Sequence, residues 1–211
     1  MKDTFSRSED AMTVTLTPTL VVLDVAEIEA GDRLLDVACG DGDATLHAAR
    51  RVGPRGLALG VDESAPLVER ARRRACEAGL ANVGFLRADA RTHRFAPLRF
   101  DLVVSQRGLM RWTSDAGFAN LARALRPAGR IVFVSLDDPG RVGAELTRAG
   151  LVQAGATRAE VDGMPAWIVT ASAPVWASRL SSPAASGRRC QPTGAAAATA
   201  PEPRSDGLAP G

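Results

Sequence analysis

The stretch LLDVACGDGD, residues 34–43, is the strongest indication of the fold of this chain. The stretch opens with an apolar run, which is typical of a short buried strand. Gly40 and Gly42 then allow a tight turn and a close approach of the backbone to a ligand. Asp43 is a suitable N-cap, and helix-forming residues follow it, so the first helical N–H groups would face the strand end. A strand, a glycine turn and a helix predict a nucleotide-type site.

Apolar runs and helical stretches alternate along the rest of the first two thirds of the chain. A helix is predicted from residue 18 to 28, and further strands at 57–61, 83–86, 100–105 and 131–136. Helices separate these strands, except that the polar, proline-bearing segment 92–99 leaves no room for one. Strands linked through helices indicate right-handed crossovers, a parallel sheet and ligands at the carboxyl ends of the strands.

Two later strand-like runs, 152–161 and 166–171, flank the hairpin signal Asp162-Gly163 and are predicted to be antiparallel. The predicted fold class is therefore α/β, a Rossmann-like doubly wound sheet of seven strands, mostly parallel, with an antiparallel C-terminal hairpin strand. We expect residues 1–17 to be a flexible N-terminal segment, 18–172 a single domain, and 173–211 a disordered tail rich in Ala, Pro and Ser.

The composition gives little sign of a macromolecular partner. A net charge of +2 and 24% charged residues predict no nucleic-acid binding, with an arginine-rich RNA-binding segment as the alternative. Three cysteines without a C-x-x-C pair predict neither disulfides nor a metal site. With no signal-like start and no apolar run of about 18 residues, we expect a soluble, cytoplasmic protein without a membrane span.

Three acids are predicted at the carboxyl edge of the sheet. Asp36 lies inside the first strand of the motif, Asp62 closes the next strand, and Asp89 follows the one after it. Asp62 could accept hydrogen bonds from both ribose hydroxyls, and Asp89 could accept one from an adenine amino group. The alternative is that each is an ordinary turn or cap aspartate.

The loop disfavours a dinucleotide. Thr45 occupies the third glycine position of a G-x-G-x-x-G pattern, and Asp41 and Asp43 would repel a pyrophosphate at the helix N-terminus. An adenosine ligand with a cationic sulfonium suits an acidic loop better, which predicts S-adenosylmethionine as the cofactor.

The chain resembles the class I S-adenosylmethionine-dependent methyltransferases, in particular the bacterial branch similar to ubiquinone and menaquinone biosynthesis methyltransferases. The resemblance covers roughly residues 20–136. The segments that carry it are LLDVACGDG (34–42), GVD (60–62), RADA (87–90), FDLVVS (100–105) and LARALRPAGR (121–130).

The resemblance implies a role for each end of the crevice. Residues Asp36 to Gly42 would hold the methionine part of the cofactor, Asp62 the ribose, and Asp89 with the Ala90 backbone the adenine, while Ser105 would begin the wall on the substrate side. The full set of cofactor residues is Asp36, Ala38, Cys39, Gly40, Asp41, Gly42, Asp62, Glu63, Asp89, Ala90 and Ser105.

Two departures from the family pattern concern the loop. Ala38 stands where many members have glycine, and Asp41 replaces a small or hydroxyl residue and so adds negative charge near the cofactor. A third departure is the short link from Ser135 to Arg141, where members that enclose large substrates insert a lid. The sequence therefore predicts an open acceptor pocket, closed if at all by the segment Met12 to Val25 or by a second subunit in a homodimer.

Methyl transfer by in-line displacement requires mainly alignment and desolvation, so a general base is optional. His93 is a weak candidate for one, and His47, inside a helix, a weaker one. Trp112 could stack on an acceptor or pack on its own helix. The residues predicted to line the acceptor side are Gln106, Arg107, Met110 and Trp112, together with Arg111.

Two function classes stay open on the sequence. The first is a methyltransferase acting on an unidentified small-molecule acceptor, at oxygen, nitrogen or carbon. The second is a reduced, methyltransferase-like protein that binds S-adenosylmethionine or a partner without catalysis. Acceptor pockets are built from loops that vary within one fold, so the sequence names no acceptor.

Overall fold

The computed structural model describes residues 6–8, 18–106, 115–161 and 163–175 of the 211-residue chain. In chain order the elements are β1 (Ser6–Ser8), α1 (Pro18–Val25), β2 (Arg33–Val37), α2 (Asp43–Val52), β3 (Leu57–Asp62), α3 (Ala65–Glu77), β4 (Val83–Arg87), β5 (Phe100–Ser105), α4 (Asp115–Ala124), β6 (Leu125–Ser135), α5 (Pro139–Arg148), β7 (Val152–Val161) and β8 (Met164–Ser172). The predicted alternation of strands and helices is confirmed, as is the missing helix between β4 and β5.

The strands form one sheet in the order β1-β7-β8-β6-β5-β2-β3-β4. All neighbouring pairs are parallel except those of β8, which runs antiparallel to both β6 and β7. The mostly parallel, doubly wound α/β fold is therefore confirmed. The sheet has one strand more than the seven predicted, because β1, inside the segment expected to be flexible, pairs with β7 at the edge. Its three residues carry no apolar pattern that could have indicated a strand.

Helices cover both faces of the sheet, and each strand supplies apolar side chains to both. Within β2, Leu34 packs with residues of α1 and α2, whereas its neighbour Leu35 packs with residues of α4 and α5. This alternation follows from the period of two along a strand, and it requires apolar residues on both faces. The helix α1 is part of this packing, since Val22 and Leu23 are almost fully buried.

Strand β6 begins earlier than predicted. The predicted strand began at residue 131, but β6 starts at Leu125, and its pairing with β5 is irregular there. The reason is distant in sequence: the Ala128 N–H donates to the Ala173 carbonyl, and the Ala173 N–H donates to the Gly129 carbonyl. These bonds keep the stretch extended beside the end of β8.

The C-terminal hairpin is confirmed. Val161 pairs with Met164, and Gly163 takes the positive φ of 75° that such a tight connection requires. Asp162 lies outside the described residues. Beyond β8, Ala173 is still buried in the core, one residue past the predicted domain boundary, and the predicted tail from 176 onward is likewise outside the described residues. In the described ranges, no helix is long and apolar enough to cross a membrane.

Candidate functional site

A crevice lies at the carboxyl edge of the sheet, where the chain reverses its direction of winding. β2 is flanked by β3 on one side and β5 on the other, so the connections that leave β2 and β5 diverge and open a gap. A cavity of about 380 Å³ occupies this edge. It is lined by the loop after β2, the first turn of α2, Leu67 and Arg70 of α3, and Gln106 after β5. Of the predicted residues, the cavity brings together Asp36, Ala38, Cys39, Gly40, Asp41 and Gln106.

The backbone of the loop is left-handed at three positions. Ala38, Gly40 and Gly42 have φ of 55°, 57° and 86°. A Cβ on Gly42 would lie 2.8 Å from the Phe85 ring and 2.9 Å from the Ala71 methyl, so glycine is required there for space as well as for conformation. Ala38 carries its methyl group in a conformation that suits glycine better, which stores strain in the loop. The predicted glycine turn is confirmed.

Asp36 is buried at the end of β2, with 2% of its surface exposed. The Thr45 hydroxyl of α2 donates to its Oδ2 at 2.6 Å. Burial raises the pKa of Asp36 to about 7, an effect that the Thr45 hydrogen bond opposes and the negative charge of Asp62 reinforces. Asp36 therefore changes charge close to neutral pH.

Cys39 is a buried thiol in the wall of the cavity. Burial, followed by the charges of Asp36 and Asp62, raises the pKa of this thiol far above its ordinary value. A protonated thiol is a poor nucleophile, so Cys39 serves the site by shape.

Asp62 joins the loop to the start of α3. Its Oδ2 accepts from the Gly40 N–H at 3.0 Å, and its Oδ1 accepts from the Ser64 N–H at 2.9 Å. A carboxylate has about four acceptor positions, so each oxygen retains one for a ligand. The sequence predicted an acid at the end of this strand, but not that it would hold the loop.

Arg91, which no sequence pattern indicated, bridges Glu63 and Asp89. The Arg91 N–H and Nε both donate to Asp89 Oδ1 at 2.9 Å, and Arg91 NH2 donates to Glu63 Oε1 at 3.0 Å. The hydrogen bond from Arg91 is the main cause that lowers the pKa of Asp89. Asp89 is thus held as an anion.

Arg74 of α3 neutralises the acids of the loop. Its guanidinium donates to the Asp41 carbonyl at 3.1 Å, lies 3.2 Å from Asp41 Oδ2, and donates to Asp43 Oδ1 at 2.9 Å. The negative charge that Asp41 adds to the loop is therefore paired with a cation. The sequence spacing could have indicated this contact, because Arg70 and Arg74 are four residues apart and therefore share one helix face. Asp43 itself is the first residue of α2, and Gly42 is the N-cap.

The residues on the acceptor side are divided between the described and undescribed parts of the chain. Ser105 is fully buried, and its hydroxyl donates to the Val37 carbonyl at 2.7 Å, so it ties β5 to β2 instead of facing the cavity. Gln106, next to it, lines the cavity. The other predicted wall residues, which lie outside the described residues, are Arg107, Met110, Arg111 and Trp112.

The two histidines are not at the cavity wall. His93 packs its ring edge-on against Phe95, with centroids 4.8 Å apart, and His47 is half-buried within α2. The segment before His93 is fixed by Asn120 of α4, whose amide donates to the carbonyls of Ala90 and His93 at 2.9 and 2.6 Å. Asn120 was missed because nothing in its local sequence links it to β4. Across the described ranges, no three His, Cys, Asp or Glu side chains are grouped so that they could hold a metal.

Comparisons with known proteins agree with this geometry. Residues 34–129 match a family model described as a methyltransferase domain. The aklanonic acid methyltransferase DauC of Streptomyces sp. is 36% identical over 115 residues, covering 54% of this chain and 52% of DauC. The ubiquinone/menaquinone biosynthesis C-methyltransferase UbiE of Pseudomonas paraeruginosa is 32% identical over 119 residues, covering 56% and 46%. The chain spans about half the length of these curated relatives.

A solved structure supports the fold over a larger part of the chain. The S-adenosylmethionine-dependent methyltransferase from Aquifex aeolicus superposes with a TM-score of 0.65 at 20% identity, covering 74% of this chain and 90% of that one. This likeness shows the Rossmann-like fold of the class I S-adenosylmethionine-dependent methyltransferase family. Residues 34–129 of this chain match the methyltransferase-domain model of that family.

The cofactor of this family is S-adenosylmethionine, and the residues present fit it. The cavity has the volume of a small-molecule site, and its wall includes the carboxyl group of Asp36, which Arg74 does not neutralise and which suits a cation. Asp62 retains acceptor positions after holding the loop, and Asp89 uses only Oδ1 for Arg91. When bound, the cofactor supplies an electrophilic methyl group on a sulfonium.

Proposed function

We propose that this protein transfers the methyl group of S-adenosylmethionine to a small-molecule acceptor by in-line displacement. One observation carries the proposal: a single cavity is lined both by the glycine loop after β2 and by Gln106 after β5. A cofactor held by the loop and an acceptor approaching past Gln106 would meet in that cavity. Alignment and exclusion of water are then the main contributions of the protein.

We assign the cofactor contacts along the crevice as follows. The loop from Asp36 to Gly42, including Ala38, Cys39, Gly40 and Asp41, holds the methionine part. Asp62 uses its remaining acceptor positions for the ribose hydroxyls, with Glu63 beside it. Asp89 accepts from the adenine amino group, and the Ala90 backbone contacts the purine ring. Ser105 acts through its bond to Val37, which sets where Gln106 stands.

The acceptor side is assigned to Gln106 and, in the part of the chain outside the described residues, to Arg107, Met110 and Trp112. His93 remains the candidate base for an acceptor with an acidic proton, although its ring packs on Phe95. α1 packs on the face of the sheet. We therefore assign closure of the pocket to the residues before α1 or to a second subunit. We further propose that the protein works in the cytoplasm, without nucleic acid.

A second candidate function is favoured by one observation. Only three residues, 136–138, separate β6 from α5, so no lid is built at the place where acceptors are enclosed in larger members. An uncovered site exposes the sulfonium to water, which weakens electrostatic effects in the crevice. A reduced protein that binds S-adenosylmethionine or a partner without catalysis would have this feature.

Two measurements on the full chain separate these candidates. Isothermal titration with S-adenosylmethionine and S-adenosylhomocysteine tests binding, and a screen of phenolic, quinone-like and amine acceptors with methyl-labelled cofactor tests transfer. We expect both binding and transfer. Binding without transfer to any acceptor would favour the non-catalytic candidate, and the absence of binding would overturn the assigned cofactor site.

A further inference from the structure

We propose that Arg91 is a positioning residue that makes the site selective for a 6-aminopurine over a 6-oxopurine. The inference rests on the proposed function, because it requires that Asp89 face the adenine of the cofactor. It concerns a residue outside the glycine loop and outside the three acids of the strand ends.

The first step is the way Arg91 holds Asp89. Two donors of Arg91, its backbone N–H and its Nε, converge on the same oxygen, Oδ1, at 2.9 Å each. The bonds from Arg91 do not use the second oxygen, Oδ2, whose direction is set by the first. An amino group on a purine can donate to that oxygen, whereas a carbonyl at the same position would face it with a second lone pair.

The second step is the anchoring of Arg91 itself. Its NH2 donates to Glu63 Oε1 at 3.0 Å, so the guanidinium is held between an acid after β3 and an acid after β4. A planar guanidinium with two fixed partners has little freedom to rotate. Arg91 thereby links the loops that follow β3 and β4, between which the adenine is assigned.

The third step separates positioning from general stability. All three residues of the bridge are partly exposed, and ion pairs of this kind contribute little to folding. Removing the guanidinium leaves the backbone N–H bond to Asp89 in place, so the fold should survive while the direction of the carboxylate becomes free. A change in ligand selectivity without a change in melting temperature is the signature of this role.

The test uses isothermal titration of the full chain with S-adenosylhomocysteine and with its 6-oxo analogue, S-inosylhomocysteine. We expect the wild type to prefer the amino form by about tenfold or more, the value of one hydrogen bond to a charged group. In Arg91→Ala this preference should fall by about threefold to tenfold, mainly because the amino form binds more weakly. Arg94→Ala is the matched control, since Arg94 is exposed and makes no side-chain bond within the described residues.

A second variant reverses the chemistry at the same place. Asp89→Asn carries a side-chain amide that can donate to a 6-oxo group, so we expect its preference to shift toward S-inosylhomocysteine. An unchanged ratio in Arg91→Ala, or equal affinity of the wild type for both ligands, would overturn the role of Arg91. If the wild type binds neither ligand, the assigned cofactor site fails as well, which is a different result from unselective binding.

Discussion

The two ends of the crevice hold aspartates that respond to their surroundings in opposite ways. Asp36, at the end of β2, is buried against Thr45, and its pKa is raised to about 7. Asp89, after β4, is bound by Arg91 at the surface, and its pKa is lowered. In the sequence both are an aspartate at a strand end. Burial therefore controls the charge of the aspartate at one end of the site, and the interaction with Arg91 controls it at the other.

This contrast divides the site electrostatically. Near neutral pH the buried end can lose its negative charge, while the exposed end keeps it. We assign the sulfonium side of the cofactor to the buried end and the adenine to the exposed end. Affinity for a cationic cofactor should therefore depend on pH through Asp36, whereas recognition of the purine should not.

The largest expected effect is on the pH dependence of folding through Asp36. Because its pKa is raised in the folded state, its contribution to stability is fully present below about pH 4 and is lost as pH rises to about 7, by on the order of 4 kcal/mol at most. We expect Asp36→Asn to remove this loss. Urea unfolding of both proteins at about pH 5 and about pH 8 measures it.

Asp89→Asn is the control from the other end of the crevice. Its lowered pKa contributes stability at neutral pH that is lost only as pH falls into the acidic range. This variant should therefore follow the wild type between about pH 5 and pH 8. If the stabilities of Asp36→Asn and the wild type changed in parallel over that pH range, Asp36 would not differ from Asp89 in the way described.

The next effect is on cofactor affinity at Asp62, between the two ends. Asp62→Ala should weaken binding of S-adenosylhomocysteine by about 1.5–3 kcal/mol, because a charged acceptor is lost and the Gly40 and Ser64 N–H groups lose their partner. Titration calorimetry gives the value. The affinity of Asp62→Asn, which keeps one acceptor oxygen, should lie between those of the wild type and Asp62→Ala. Asp32→Ala, before β2 at the opposite edge, is the control, and equal affinities in all four proteins would remove Asp62 from the site.

A smaller effect is expected when the hydrogen bond from Thr45 to Asp36, at the buried end of the crevice, is removed. In Thr45→Val the hydrogen bond that stabilises the charged form of Asp36 is absent, so the pKa of Asp36 should rise further. The pH at which stability declines should move up accordingly, as read from unfolding midpoints across the pH range. A midpoint that stays in place would mean that Thr45 only fills space.

The smallest effect concerns the strain at Ala38. Its φ of 55° costs an L-residue about 1–2 kcal/mol, of which about 0.4–1 kcal/mol is offset in Ala38→Gly by the greater freedom of glycine in the unfolded chain. We expect a net gain below about 1 kcal/mol, measured by thermal unfolding. Ala128→Gly, at a φ of 62° in β6, should gain similarly. Destabilisation of Ala38→Gly alone would show that the methyl group packs usefully in the loop.

Much of the fold could be predicted from the sequence because its signals are local. Apolar runs and glycine turns lie close together in the chain, and the handedness of crossovers then limits the ways in which parallel strands can be arranged. The acids Asp36, Asp62 and Asp89 could be selected for the same reason, since each lies within, closes or follows a strand. The parallel sheet places all three at its carboxyl edge, where Asp36 lines the cavity.

The remainder depends on contacts between distant elements. Arg74 reaches the loop only because α3 packs beside it, and Thr45 reaches Asp36 only because α2 folds back on β2. The early start of β6 depends on Ala173 in the same way. Side-chain pairs of this kind are set by how helices lie on the sheet, which a one-dimensional pattern does not encode.

The position of β8 has a consequence for how the protein is made. Among the described residues it is the last strand in chain order, yet it lies between β6 and β7 in the sheet. During synthesis, β6 and β7 therefore present open edges until β8 leaves the ribosome, and open edges can pair with other chains. The sheet closes by inserting a strand between two existing ones, a late, non-local step that slows folding. Chains that stop before Met164 should aggregate, even though every residue of the cofactor crevice is already present.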